Sequence, residues 1–401
     1  MKRERPKDRS GELAFKPKKP QTAPSVDEEL LFPFLPEHIV TEILVRLPPK
    51  SLLRFRCLSH HHSNLIQSPN FVAAHAGHAH RNRTGLLVYA NSQSGKDVVS
   101  FIPSKLEGSG GTINGLVSAF PLPFLKKKGY GVGKSTSFQC AGSFNGLVCF
   151  ILDTRGYWVL WNPATDQFCF DVSQPEKNLP RNHTIAGFGY DSAASEYKSV
   201  RVSCNHGGGA QVEVLNWAER HWTEIQDESF HAIFTATEYR EPHFHKPPVT
   251  TNNGRVHWME SSSGMVLSFK PHDEKFEWVS TPEASLPWSI QRSICAWKGS
   301  LAMLVQHEIQ QDSLLSLWLY NDGGGGELSS SSWSTLFTIS TMGPPCMPEA
   351  IWRVDAQSSF LLYINGSACN YNNGKRLKLP YVCIYRAFEF AQTLVPIPGC
   401  S

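Results

Sequence analysis

Between residues 34 and 76, apolar positions recur every three or four residues. In LPEHIVTEILVRLP, Leu35 to Pro48, the residues Ile39, Ile43 and Leu47 fall at i, i+4 and i+8, with Val40 and Leu44 beside them. That spacing predicts one wide apolar face on a helix of about three turns. Pro36 suits the first helical turn, where its missing N–H is not needed. Pro48-Pro49 stops the helix. A second helix is expected from Lys50 to Ser59, and a third over His61 to Ile66, ending near Ser68-Pro69. Phe71 and His75 fall beyond that stop. Three short helices in about 40 residues bury too little surface to make a good core alone. Leu35, Ile39, Ile43, Leu44, Leu47, Leu52 and Leu53 exceed what so small a bundle can hide. The surplus calls for a cover, either the rest of the chain or another protein.

From about residue 84 the pattern shortens to strands. An apolar strand runs into a polar turn and an aromatic strand comes next. The cases are Val159 to Phe170, Val212 to Ile225, Val266 to Ser280 and Leu315 to Phe337, with Tyr371 to Pro380 a weaker fifth. Their turns lie near Asn162, Asn216, Lys270, Asn321 and Asn372. The spacing is close to the ~50 residues of one four-stranded propeller blade of kelch type. Each hairpin has a face to bury, and stacking blades around an axis buries it. The region Leu86 to Phe120 can supply a further, irregular blade. The Ser/Gly stretch from Gly323 to Ser332 reads as a variable insertion.

Composition narrows the function. The 401 residues are 41% hydrophobic and 18% charged, with a net charge of +3 and no basic stripe interleaved with aromatics. Nucleic-acid binding is therefore not expected. The ten Cys form no C-x-x-C pair, so zinc spacing is absent. The longest apolar run, Gly146 to Leu152, falls far short of the ~18 residues of a membrane span. The chain opens on charged residues rather than a short apolar core, so no secretory signal is expected. A cytoplasmic or nuclear setting with free thiols is expected, and the N-x-[ST] matches at Asn82, Asn182 and Asn365 then carry no meaning. Residues 1 to about 30 are rich in Lys, Arg, Pro and Glu and read as a disordered tail. Within it, Lys16 to Pro20 reads as a nuclear address or as a solvated basic stretch.

Several apparent chemical motifs dissolve on inspection. KGYGVGKST, Lys128 to Thr136, ends like a phosphate loop, but Lys128 stands where the opening Gly must be, and a strand pattern comes after it. His60, His61 and His62 point apart on a helix. His78 and His80, like His243 and His245, would share a face on a strand, yet no carboxylate or Cys sits at a recognisable offset. There is no G-x-S-x-G elbow. Asn145-Gly146, Asn253-Gly254 and Asn365-Gly366 are two-residue hairpin chemistry. Trp161, Trp222, Trp258, Trp278, Trp318 and Trp333 read as blade core. No metal, cofactor or catalytic residue is expected.

LPEHIVTEILVRLPPKSLLRFRCLS resembles the F-box of a large plant family. The Leu-Pro start, Ile43-Leu44, Leu47-Pro48, the run Lys50 to Phe55, and Arg56 to Ser59 recur in the motif's order. One position departs, since the family's third-helix Trp is replaced by His62. The later chain is similar to the F-box-associated domain of the same family. The similar pieces are Ser143 to Phe150, Trp161 to Thr165, Gly187 to Val202, Asn253 to Met259, Ser331 to Ile339 and Phe388 to Ile397, in the family's order. The fold class expected is α+β, a small N-terminal three-helix F-box followed by a mostly antiparallel, all-β, propeller-like domain. The divisions are a tail over 1–32, the F-box over 33–76 and the β domain over 84–400. The resemblance implies a non-enzymatic receptor that docks on a Skp-type adaptor, and through it on a cullin, while the β domain holds an unknown target protein for ubiquitin transfer. It assigns adaptor binding to Leu35, Pro36, Ile39, Ile43, Leu44, Leu47, Pro48, Leu52, Leu53 and Cys57. The alternatives are that these side chains pack on the β domain, that the F-box is degenerate and serves outside any ligase, or that a kelch-type propeller carries converging His, Tyr and Cys ligands for a copper enzyme.

Overall fold

The computed structural model describes residues 35–399 apart from 83, 93–96, 104–117, 121, 124–137, 153–156, 172–183, 205–209, 227–247, 262, 283–290, 310–311, 323–331, 343–347, 354–359, 365–366, 371–375 and 378–380. The expected tail, the Lys128 to Thr136 loop, His243 and His245, the Ser/Gly stretch up to residue 331, and Asn365-Gly366 lie outside the described residues.

The chain opens on helices α1 (Glu37–Val45), α2 (Pro49–Phe55), α3 (His60–Gln67) and α4 (Pro69–Asn82). The fourth corrects the expectation that the helices end near Ser68-Pro69. Ser68 is an N-cap whose hydroxyl accepts from the Phe71 N–H at 3.3 Å. Pro69 takes the first helical position, where its fixed φ suits the helix and no N–H is required. Phe71, His75 and Ala79 are buried at i, i+4 and i+8. His78 and His80 therefore sit on a helix rather than a strand. Helix α2 ends at Phe55, ahead of the expected Ser59, in a turn over 56–58.

Six four-stranded antiparallel sheets follow among the described residues. The first contains β1 (Thr84–Ser92), β2 (Asp97–Pro103) and β3 (Ser118–Phe120). The second is β4 (Phe138–Phe144), β5 (Leu147–Leu152), β6 (Tyr157–Asn162) and β7 (Gln167–Phe170). The third is β8 (Thr184–Asp191), β9 (Glu196–Cys204), β10 (Ala210–Asn216) and β11 (His221–Ile225). The fourth is β12 (Val249–Thr250), β13 (Val256–Met259), β14 (Val266–Lys270) and β15 (Lys275–Val279). The fifth is β16 (Gln291–Trp297), β17 (Ser300–Ile309), β18 (Asp312–Asn321) and β19 (Ser332–Met342). The sixth is β20 (Pro348–Arg353), β21 (Phe360–Ile364), β22 (Ser367–Asn370) and β23 (Arg376–Leu377). The last strand, β24 (Tyr381–Ala391), returns to the first sheet and pairs antiparallel with β1, from Thr84 opposite Ala391 onward. Successive sheets touch around a closed ring, and β24 contacts both β20 and β4. Each sheet is thus one blade of a propeller, and its first and last strands, β1 and β24, share a blade. That arrangement leaves each blade only short edge strands, the inner ones shielded within the ring.

Four of the aromatic hairpins read from the sequence are the third and fourth strands of blades two to five, while of the fifth, Tyr371 to Pro380, only residues 376–377 lie within the described residues. Their turns share a geometry. In blades two, three and four the turn residues are 163–166, 217–220 and 271–274. The last turn residue has positive φ in each, 62° at Asp166, 55° at Arg220 and 52° at Glu274. The side chains of Asn162 and Asn216 accept from the backbone N–H two residues on, an Asx turn that opens the loop. Asn145-Gly146, with φ of 51° and 82°, forms the expected two-residue turn between Phe144 and Leu147. Lys298-Gly299 does the same between Trp297 and Ser300. Asn253-Gly254 differs, lying inside a five-residue loop between Thr250 and Val256. First–second and third–fourth turns of a four-stranded sheet fall at one end, so all these turns line the same end of the ring. The helices join β1 at that end.

Apolar residues fill the seams between blades. Trp161 and Phe150 sit between blades one and two, Phe188 and Trp217 between two and three, and Trp258 and Phe269 between three and four. All six singled-out Trp pack in such clusters or on their margins, with Trp318 and Trp333 between blades four and five. An ion cluster closes one seam. Lys198 lies 2.9 Å from Glu274 and 3.4 Å from Asp191, and it donates to the Pro271 carbonyl at 3.0 Å.

Candidate functional site

Helix α1 has two apolar stripes. One carries Val40, Leu44 and Leu47 and turns inward. With Val45 of α1, Leu52 of α2, Ile66 of α3 and Phe71 of α4, Leu44 forms the helical core. The other stripe carries Leu35, Ile39 and Ile43, each four residues apart. These are 42%, 37% and 47% exposed. Leu58, just beyond α2, is 51% exposed. Five large apolar side chains are exposed among the described residues, and these are four of them; the fifth, Leu336, is in blade five. Single exposed apolar residues need no explanation, but a concentration on one small unit marks a contact surface. Burying each such side chain is worth roughly 1.5–3 kcal/mol.

The structure divides the ten residues expected at the docking surface. Leu35, Pro36, Ile39, Ile43, Pro48 and Cys57 are exposed. Leu47 and Leu53 are half-buried and lean on the helical core. Leu44 is 4% exposed and Leu52 is fully buried. These last two are spent on the chain's own helical core, which leaves the outward stripe of Leu35, Ile39 and Ile43 as the exposed part of the expected set. The reason is geometric. An apolar face wide enough to serve both a core and a surface looks continuous in sequence, and only the position of α4 and its neighbours decides which half is inside.

Two residues outside that set shape the surface. His75 of α4 is fully buried and stacks on Phe71, with ring centroids 6.4 Å apart. Its Nε2 lies 3.1 Å from the Leu47 carbonyl. A carbonyl only accepts, so Nε2 carries the proton and donates to the end of α1. This bond ties α4 to the turn between α1 and α2. The Ser-Pro reading as a helix stop hid it, although the i, i+4, i+8 spacing of Phe71, His75 and Ala79 was the available signal. His62, where the family's Trp would stand, is 8% exposed. Its Nδ1 lies 2.8 Å from the hydroxyl of Ser59, the N-cap of α3. His62 thus serves the inside of the helical unit rather than its exposed stripe.

Charge rims the stripe without entering it. Arg46 and Glu42 pair at 2.8 Å, and both are well exposed, so the pair adds little stability. Lys50 reaches toward the propeller, its Nζ 5.7 Å from the Phe120 ring centre.

Among the described residues no three His, Cys, Asp or Glu converge as metal ligands. Burial pushes the thiol of Cys295 up to about 12 and that of Cys149 well above its ordinary value. Such thiols are poor nucleophiles. Among the described residues no helix is long and apolar enough to cross a membrane.

Known proteins match both parts of the chain. Residues 32–73 match the F-box domain, and residues 89–342, more than half of the chain, match the F-box associated beta propeller domain. An F-box protein of Arabidopsis thaliana is 24% identical over 310 residues, covering 72% of this chain and 72% of that protein. An F-box/kelch-repeat protein of the same plant is 24% identical over 352 residues, covering 85% and 89%. F-box protein CPR1 of Arabidopsis thaliana is 23% identical over 328 residues, covering 76% and 73%. An exposed apolar stripe on four short helices, a closed propeller behind them and these matches agree, and the chain belongs to the F-box proteins that carry an F-box associated β-propeller.

Proposed function

We propose that this protein is the substrate receptor of a Skp–cullin–F-box ubiquitin ligase and performs no bond chemistry itself. The observation that carries the reading is the stripe of Leu35, Ile39 and Ile43, with Leu58 exposed beyond α2, left uncovered among the described residues when the helices and Leu394 have formed their buried core. A Skp-type adaptor supplies the missing apolar cover. The adaptor binds a cullin, and the propeller holds a target protein. The mechanism is proximity, a raised effective concentration of target lysines near a charged conjugating enzyme. An adaptor docked on the helices occupies the end of the ring that carries the tight turns. Target contacts are therefore assigned to the opposite end, where the strands of successive blades connect. Free thiols at Cys57, Cys140, Cys149, Cys169 and Cys295 support a reducing, cytoplasmic or nuclear setting.

A non-ligase interaction protein with a degenerate F-box is the rival reading, and His62 is its basis. The interior position of His62 speaks against it, because the substitution leaves the exposed stripe intact. Co-expression with a Skp-type adaptor and a cullin tests the proposal. A stable ternary complex is expected, together with ubiquitin transfer to proteins captured by the propeller. A folded chain that recovers neither adaptor nor cullin would overturn it.

A further inference from the structure

After β24 ends at Ala391, the chain runs on as an extended segment, Gln392 to Gly399. Its side chains alternate between two bodies. Thr393 is fully buried, and its hydroxyl donates to the Asn145 carbonyl at 2.7 Å. Leu394, the next residue, points the other way and joins the helical core of Leu44, Leu52, Ile66 and Phe71. Val395 and Ile397 return to the seam between blades two and three, beside Trp217 and Leu147. The segment forms no ladder of its own, so its backbone needs other partners. The Asn162 side chain, fully buried, donates to the carbonyls of Thr393 at 3.2 Å and Val395 at 2.8 Å. Arg220 donates to the carbonyl of Gly399.

The Asn145 carbonyl takes the Thr393 hydroxyl. The adjoining Gly146 has no room for a side chain, since a Cβ there would lie 2.8 Å from the Ala391 carbonyl oxygen. The turn between β4 and β5 therefore grips the C-terminal segment closely.

We infer that the segment Gln392 to Gly399 completes the helical unit and fixes it to the propeller as one rigid body. Among the described residues, Leu394 is the one member of that buried cluster from beyond the helices, so the fold of a docking surface near residue 40 depends on a side chain more than 300 residues later. Four helices this short hold too little apolar area to stand without it. The consequence for the receptor, which rests on the function proposed above, is a fixed angle between adaptor and target, set by the strap.

Hydrogen exchange on the full chain tests the inference without any adaptor present. The variants are Leu394→Asp, which puts a charge in the cluster, and Leu394→Met, which conserves volume. Amides of α1–α4 are expected to exchange about tenfold faster or more in Leu394→Asp, while β5 and β9 keep wild-type protection and Leu394→Met resembles wild type throughout. Wild-type exchange across α1–α4 in the Asp variant would overturn the inference. Equal acceleration of helices and blades would also overturn it, by making Leu394 a residue of the propeller core. A Thr393→Val variant, which loosens the strap at Asn145 but leaves the helical cluster intact, is expected to accelerate only the helices, by a smaller factor. Adaptor titration against Leu394→Asp and Ile43→Asp separates this inference from the function. Loss of adaptor binding in Ile43→Asp without faster exchange reports the docking surface, whereas faster exchange in Leu394→Asp stands whatever the adaptor does.

Discussion

Ile43 and Leu44 are adjacent in sequence, alike in chemistry and opposite in role. Ile43 is 47% exposed on the outer stripe and Leu44 is 4% exposed in the core. Their variants should separate cleanly. Ile43→Asp is expected to leave thermal stability near wild type and to weaken adaptor binding by ~2 kcal/mol or more, as loss of a central anchor does. Leu44→Ala is expected to destabilise the helices by ~2–5 kcal/mol through the cavity it leaves. Melting and titration on the same two proteins check the pair. His257 offers a second test at this scale. Burial, and to a lesser degree the Arg255 charge, holds its pKa down to about 3. Its Nε2 lies 3.2 Å from the Thr251 hydroxyl. An unfolded His titrates near ~6.5. Between those values the unfolded chain binds the extra proton, so stability falls as pH drops below ~6.5, by up to ~1.4 kcal/mol per pH unit. Asp191 acts lower on the scale. Its burial is outweighed by the backbone N–H of Ala194 and by Lys198, so its pKa lies below the usual 3.8 and its contribution is lost only in stronger acid. Denaturant midpoints from pH 7 to 5 should decline in wild type and flatten in His257→Asn. An equal decline in both would reject the assignment.

Among elements, the hairpins were the most legible part of the sequence. Asn162 and Asn216 open the turns of blades two and three, a positive-φ residue closes those and the turn of blade four, and aromatic strands flank them; all of that is local chemistry. Helix α4 was not legible as a helix. Its Ser68-Pro69 start uses the same residues that end other helices, and its Ala, Gly and His residues give it little apolar contrast. The cap now carries a prediction. Ser68→Ala removes the acceptor for the Phe71 N–H and should cost about 1 kcal/mol. The loss should show as faster amide exchange in the first turn of α4. Unchanged exchange there would mean that packing of Phe71, not the cap, starts the helix. Helix α1 lies between these cases. Its existence and apolar face were plain from spacing, but the division of that face between Leu44 inside and Ile39 and Ile43 outside depends on α4 and on Leu394, the latter beyond the reach of any local pattern.

At the scale of the whole molecule, blade count and closure depend on contacts far apart in sequence. β24 completes the first blade by pairing with β1, and the segment after it enters the helical core. The sequence pattern could place outer hairpins at a ~50-residue period, yet it could not show that the ends meet. Closure is what makes the receptor reading mechanical. It sets the helices at the end of the ring that carries the tight turns, and the target proposed above is assigned to the other end. The most direct test of the central claim is calorimetric titration of a Skp-type adaptor into the full chain and into an Ile39→Asp, Ile43→Asp double variant, with melting curves for both. The account predicts a saturable, one-to-one complex for wild type and, for a double variant of unchanged stability, affinity weaker by ~100-fold or more. Equal affinity for the two proteins, or no binding by folded wild type, would contradict it.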